Sequence, residues 1–168
     1  MKDKFIGKKI NSERIYIRLI EEQDASYLYR WLLDEETRKL TESSESSFDE
    51  TVELVKEWIN DPNIVEFIIV DKSNNEPIGD ITLRLDTDDN NKAEFGTIIG
   101  EKGYRGKGYV RESVDALISE LKREKCLKEL YFEILLVNEP SIKLFKYKFG
   151  WKETHRDEKQ AYFSHLLL

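Results

Sequence analysis

Cysteine occurs once in the 168 residues, at Cys126, and histidine only at His155 and His165. One thiol excludes an internal disulfide and any cysteine-based structural zinc site. Two histidines without partners of metal-ligand type leave no histidine-rich centre, so no metal is expected. Long apolar runs are missing as well. Aliphatic stretches such as Ile134-Leu135-Leu136-Val137 fall far short of the roughly 20 residues a membrane span needs. Met1-Lys2-Asp3-Lys4 has no apolar run behind it, so no signal peptide is read and a cytoplasmic protein is expected. Positive charge is not in surplus either: 27 basic residues face 34 acidic ones, for a net charge of -7. An acidic chain has no general attraction for nucleic acid or for an anionic membrane, and neither is expected as a partner.

What the chain does have is a globular composition. Eight Phe, eight Tyr and three Trp are too many for a disordered acidic segment. The length suits one domain of about 150 residues, so 1–168 is read as a single domain. Its charge is uneven. Residues 20–62 carry thirteen acids and four bases, a balance of -9, while residues 101–111 carry Glu101 against Lys102, Arg105, Lys107 and Arg111, a balance of +3. A charge run usually marks a solvated face; the alternative is a surface that meets charged ligands.

Residues 14–20 alternate polar and apolar and predict a strand. Ala25, Leu28, Trp31 and Leu32 then mark a helix, and the Ser/Glu-rich 41–47 reads as a loop. Ser47 and Glu50 form a capping-box pair ahead of a second helix with Phe48, Val52, Val55 and Ile59 on one face. Strands are expected at 64–71, 77–85 and 92–100, joined by short polar turns as an antiparallel meander. Val110, Val114, Leu117, Ile118 and Leu121 predict a long amphipathic helix. A strand at 129–137, a short helix at 139–149 and a hairpin of 151–155 with 159–167 complete the chain. Asp86 to Asn91 begins like a calcium loop, but it has Asn91 at the glycine position and Thr97 where a bidentate Glu belongs, so a polar hairpin is expected.

The chemistry is concentrated in Gly100-Glu-Lys-Gly-Tyr-Arg-Gly-Lys-Gly-Tyr-Val-Arg111, which holds four of the eight glycines. A glycine-rich turn between strand and helix leaves backbone N–H groups open at the positive end of a helix dipole, a site for phosphate oxygens. It is not the nucleoside-triphosphate loop, because Glu101 stands where its first glycine is required and Gly108 where Ser or Thr is. Nor is it the dinucleotide pattern, which meets Arg111 at its third glycine.

Arg105-Gly106-Lys107-Gly108-Tyr109-Val110 resembles the Arg/Gln-x-x-Gly-x-Gly/Ala signature of the GNAT N-acetyltransferases, with Val110 replacing the final small residue. Asn138-Glu-Pro-Ser141 leading to Gly150-Trp151 is similar to the family's Asn-x-x-Ser/Ala helix. Ile15 to Leu19 with Asp24 and Arg30-Trp31 looks like the branch that holds ribosomal-protein and spermidine acetyltransferases. The resemblance covers nearly the whole chain. It implies an α+β protein with the acyl-CoA N-acyltransferase (GNAT) fold: a central, mostly antiparallel twisted sheet of about seven strands flanked by four helices. It implies acetyl-CoA as cosubstrate, held by Arg105, Gly106, Lys107, Gly108, Tyr109 and Val110 at its pyrophosphate. Ile98 and Gly100 would bind the pantetheine arm through main chain, and Asn138 and Ser141 would line it. The Ile99 amide is the implied oxyanion donor.

The implied reaction is direct attack of a primary amine on the thioester. Glu94 matches the general base some GNAT enzymes carry early on this strand; the alternative is an exposed strand glutamate. The family's acid tyrosine, seven residues after the asparagine, is replaced by Phe145. Asn138 and Gly150 also stand one residue further apart than usual, and Tyr147 is the nearest phenol. Water is the alternative acid. Cys126, about 24 Å along the helix from its start, is read as a small buried residue. The acceptor is expected to be a small cationic amine or a peptide N-terminus, drawn to the -9 segment. A nucleotide-linked amino sugar, or a non-catalytic coenzyme A-binding regulatory role, is the alternative. A homodimer is left open.

Overall fold

The computed structural model describes residues 1–167, so the expected 1–168 domain ends one residue beyond it. Eight strands form one sheet: β1 (Ile10–Asn11), β2 (Ile15–Leu19), β3 (Ile64–Asp71), β4 (Pro77–Leu85), β5 (Lys92–Ile99), β6 (Glu129–Leu135), β7 (Lys152–Arg156) and β8 (Gln160–Leu166). They lie in the order β1-β2-β3-β4-β5-β6-β8-β7. Every pairing is antiparallel except that of β5 with β6. The expected meander is β3-β4-β5, closed at Asp86 by a turn in which the Asp86 carboxylate accepts from the amides of Asp88 and Asp89.

Five α-helices cover the sheet: α1 (Ala25–Leu32), α2 (Glu35–Thr41), α3 (Phe48–Asn60), α4 (Tyr109–Glu124) and α5 (Glu139–Lys143). Helix α3 starts at the predicted capping box, with both reciprocal Ser47 and Glu50 bonds formed. Val114, Leu117 and Leu121 turn α4 onto one sheet face, where α5 adds Ile142. Helices α1 and α3 pack on the other face through Leu28, Trp31 and Val55 against Ile68 and Val70. The sheet therefore separates two cores.

The count exceeds the expected seven strands and four helices by one each. Strand β1 has only two residues, too few for any alternation to register. Helix α2 lacks an apolar stripe; the Asp34 carboxylate caps its first turn by accepting from the Thr37 amide and hydroxyl.

Strands β5 and β6 pair over only three residues, Lys92 with Glu129, Ala93 with Leu130 and Glu94 with Tyr131. Beyond them the strands part. Phe95, Phe132, Phe145 and Trp151 sit between them, every pair of ring centroids 4.6 to 6.0 Å apart. All four are buried in the core that α4 and α5 share with this face of the sheet. Phe145 reaches this cluster from a π-helical turn, Leu144–Lys148. Such a turn absorbs one inserted residue, which accounts for the extra residue between Asn138 and Gly150.

On the opposite side β5 is pressed against β4. A Cβ on Gly79 would lie 2.2 Å from the Ile98 carbonyl oxygen and 3.0 Å from the Ile99 Cα. Both are backbone atoms with no rotamer to yield. Gly79→Ala is expected to lower the unfolding free energy by about 1–3 kcal/mol, read as a lower urea midpoint at unchanged slope.

Candidate active site

The parted strands and the start of α4 meet at residues 95–111. Residues 95–99 of β5 keep β4 on one side, and their other edge no longer pairs with β6. An unpaired edge presents main-chain donors and acceptors to an extended ligand. The chain then turns through Glu101 and a short 3-10 turn, Lys102–Tyr104, to Gly108, the residue before α4. Gly106 and Gly108 have φ of 71° and 85°, the left-handed region that a side chain makes costly. Both are exposed, and so is Lys107.

None of the amides of Gly106, Lys107, Gly108, Tyr109, Val110 and Arg111 finds a well-formed hydrogen-bond acceptor among the described residues. The turn amides and the first-turn amides at the N-terminus of this 16-residue helix suit a pyrophosphate. The four bases around them behave less simply than their +3 balance suggested. Lys102 pairs with Asp34 at 2.8 Å, and Arg111 lies 3.7 Å from Asp115. Lys107 alone of the four has no ion-pair partner among the described residues.

Arg105, the first residue of the signature, faces inward. Its Nε donates to the Ile99 carbonyl at 2.9 Å and Nη2 to the Gly100 carbonyl at 3.1 Å and the Thr37 hydroxyl at 2.8 Å. Nη1 lies 3.3 Å from both Asp34 and Glu36. The guanidinium thus fastens the end of β5 to α2 and the residues before it. The Lys102 ammonium and the Thr37 hydroxyl hold the Asp34 carboxyl far below the usual range. Trp31 braces the same corner: a Cβ on Gly100 would fall 2.1 Å from its ring, and its Nε1 donates to Glu101 at 2.8 Å.

Arg14 is a loop-supporting residue that the sequence reading missed. Its Nε and amide both donate to Glu112, at 2.7 and 2.6 Å, and Nη1 donates to the Lys107 carbonyl at 3.1 Å. Its guanidinium also lies 4.1 Å from the Tyr109 ring centre. A lone arginine before a strand carries no signal of this role.

Asn138 caps α5, its Oδ1 accepting from the Ser141 amide at 3.3 Å. Both residues stand just past the free end of β6, across the parting from Ile98 and Ile99. Tyr147 does not join them. It is 71% exposed, beside the Lys146 ammonium and close to Arg156 of β7, the strand at the far edge of the sheet. Phe145 is buried in the aromatic wedge. Cys126 is half-buried beyond the C-terminus of α4, and burial raises its thiol pKa.

Glu94 is half-buried, opposite Arg84 on β4 and Tyr131 on β6. It shares the α1/α3 side of the sheet with Gly96 and Ile98, since Ala93, Phe95 and Ile99 turn to the other core. Four residues separate Glu94 from Ile98, about 13 Å along a strand. A second acid stands nearer: Asp80 of β4 is directly opposite Ile98. Glu66 of β3 is opposite Thr82, hence diagonal to Asp80 on the same face. Glu66 is 1% exposed, and its Oε2 has no hydrogen-bond partner. Burial raises the pKa of both carboxyls, of Glu66 well above the usual range and of Asp80 to about 7. An acid flanked by Gly79 and Ile81 in an apolar strand was the available signal, and the sequence reading passed over it.

The acetyltransferase (GNAT) domain model matches residues 14–152 of this chain. An N-acetyltransferase 9-like protein of Caenorhabditis elegans is 31% identical over 138 residues, 74% of this chain and 68% of that protein. The alpha/beta-tubulin-N-acetyltransferase 9 of Drosophila melanogaster is 29% identical over 163 residues, 89% of this chain and 81% of its own length. Spermidine N-acetyltransferase of Vibrio cholerae, solved with CoA and spermine, superposes with a TM-score of 0.82 at 20% identity, covering 93% of this chain and 97% of its own. The family match and the parted, glycine-looped architecture agree: this chain belongs to the GNAT family of acetyl-CoA-dependent N-acetyltransferases.

Proposed function

We propose that this protein acetylates the α-amine of a protein or peptide N-terminus, with acetyl-CoA held in the parting between β5 and β6. The observation that carries the reading is the continuity of two features. The open amides of Gly106 to Val110 lead directly to the unpaired edge of β5 at Ile98 to Gly100. A pyrophosphate on the first and an extended amide-bearing arm along the second match a coenzyme A ligand in order and chemistry. Lys107 supplies the uncommitted charge at the phosphate end. Asn138 and Ser141 flank the arm from the β6 side.

Bound acetyl-CoA supplies the activated acetyl group. The Ile99 main-chain amide is assigned the role of stabilising negative charge that develops on the acetyl oxygen. The acceptor approaches from the α1/α3 face, which carries Asp80 opposite Ile98 and Glu94 about 13 Å further along β5. These carboxylates favour an ammonium over an anion, which argues against a nucleotide-linked amino sugar. Glu94 stands too far from Ile98 for direct contact with a reacting nitrogen and is assigned to hold the acceptor's charge or to act through water. Tyr147 lies at the other edge, so the departing thiolate takes its proton from solvent. The name of the Drosophila relative, a tubulin N-acetyltransferase, favours a protein acceptor over a polyamine.

Two measurements test this reading. Gly108→Leu puts a side chain into a left-handed position among the open amides, costing about 1–2 kcal/mol in backbone conformation alone. Acetyl-CoA affinity by calorimetry is expected to fall at least about tenfold; unchanged affinity would remove the loop assignment. In a thiol-release screen, peptides with free N-termini are expected to gain one acetyl group by mass spectrometry. N-terminally blocked peptides and nucleotide amino sugars are expected to stay unmodified. Acetyl-CoA binding without thiol release from any amine would identify a sensor instead.

A further inference from the structure

The acetyltransferase reading leaves unexplained a pair of carboxyls buried in the sheet beneath α1 and α3. Burying one carboxylate is costly, and two adjacent ones cannot both be ionised. Glu66 is almost fully enclosed with one oxygen unpartnered. Asp80, its diagonal neighbour across the β3–β4 ladder, is half-buried, and its carboxylate has no hydrogen-bond donor among the described residues. Their partners among the described residues are the Thr82 hydroxyl beside Glu66 and the charge of the exposed Arg84, which acts on both. Arg18, the nearest buried cation on β2, is committed to Asp24 in a two-pronged pair at 2.7 and 2.8 Å. Lys2 directs its Nζ to the carbonyls of Trp58, Ile59 and Asp61.

Asp80 and Ile98 are direct cross-strand partners on one face, so their Cβ atoms are about 5 Å apart. Ile98 borders the edge where the acetyl group is to be held. We propose that Asp80 is the catalytic base of the transfer, and that Glu66 is a positioning residue that keeps its own proton. This inference rests on the acetyltransferase reading. Asp80 takes a proton from the acceptor ammonium, and the freed nitrogen lone pair forms the N–C bond to the acetyl carbon. The nitrogen of the adduct gives its second proton to solvent as the C–S bond breaks, the thiolate takes a proton from solvent, and Asp80 returns its proton to solvent.

A group titrating at about 7 is well matched to this work at neutral pH. The other titratable or charged groups on the elements around it are Glu66 on β3, Arg84 on β4, Glu94 on β5 and the Arg18–Asp24 pair. Tyr16 of β2, Tyr27 of α1 and Lys2 above the end of α3 join them. The sign of the stability effect follows. A raised carboxyl pKa in the folded state means that stability falls as pH rises from about 4 through about 7. Asp80→Asn removes that cost and should fold at least as stably at pH 8.

The test compares Asp80→Asn, Asp80→Glu, Glu66→Gln and Glu94→Gln in the intact chain. In the free protein, carboxyl-carbon NMR is expected to show a step near pH 7 and a second step displaced above the usual carboxylate range. Asp80→Asn should abolish the step near 7, and Glu66→Gln should abolish the second one while keeping the first. With saturating acetyl-CoA and an accepted amine, Asp80→Asn should lower kcat at least about 100-fold and erase the acid limb of its pH profile. Asp80→Glu should restore part of kcat with a displaced limb. Glu94→Gln should raise the acceptor KM with the limb retained. An acid limb that survives in Asp80→Asn but vanishes in Glu94→Gln would overturn the proposal, as would a carboxyl step near 7 that persists without Asp80. If the wild type binds acetyl-CoA yet releases no thiol with any amine, the acetyltransferase reading itself fails and this assignment falls with it.

Discussion

The site depends on one constraint: β5 and β6 cannot remain paired beyond Glu94 and Tyr131. Parallel neighbours would ordinarily run together for their full length, satisfying each other's main-chain groups. Here Phe95, Phe132, Phe145 and Trp151 occupy the space beneath them. Their burial secures the core on the α4/α5 side where the ladder stops. The lost pairing leaves a strand edge available to a ligand. The same parting separates the start of α4 from the start of α5, placing the open loop amides on one side and Asn138 with Ser141 on the other.

Charge plays a different part in space from the part it plays along the chain. An acidic stretch at 20–62 and a basic loop at 101–111 suggest two independent ligand surfaces. In the fold they meet. Asp34 and Glu36 receive Lys102 and Arg105, and Arg30 reaches back to Glu101. The two opposed patches thereby meet in one line of ion pairs, with Asp34 and Arg105 its more sheltered members. What remains for an anionic ligand is the row of amides, the dipole of α4 and Lys107. What remains for a cationic one is the face that holds Glu94 and Asp80. Both surfaces are smaller than the linear charge counts indicate, and more specific.

Most of the architecture was legible because it rests on local rules. The meander, the capping box at Ser47, the amphipathic α4 and the glycine turn before it all announce themselves within a dozen residues. The features that escaped depend on distant partners. Helix α2 lacks an apolar stripe and is held by Asp34 and by Arg105, 68 residues beyond Thr37. The π-turn at Leu144–Lys148 shows in the sequence only as one residue too many. Arg14 acts on a helix that begins 95 residues later. The basic loop was correctly placed but its charges were misjudged, because a residue count does not reveal which side chains find partners at home.

Asp80 and Glu66 show why this limit falls on chemistry more than on fold. Alternation places both residues on one face of the sheet, and a solvated face would make them ordinary. Their burial comes from α1 and α3 lying across that face, a tertiary fact set by Leu28, Trp31 and Val55. The close approach of β4 to Ile98 goes with Gly79, which has no side chain to meet the Ile98 carbonyl. A carboxyl becomes a usable base at neutral pH through these two effects together: desolvation to raise its pKa, and close approach to put it within reach. Glu94, identified from its place on the strand, has the right chemistry at a distance of four residues. Asp80 has the same chemistry one strand away, and the sheet register rather than the residue type distinguishes them.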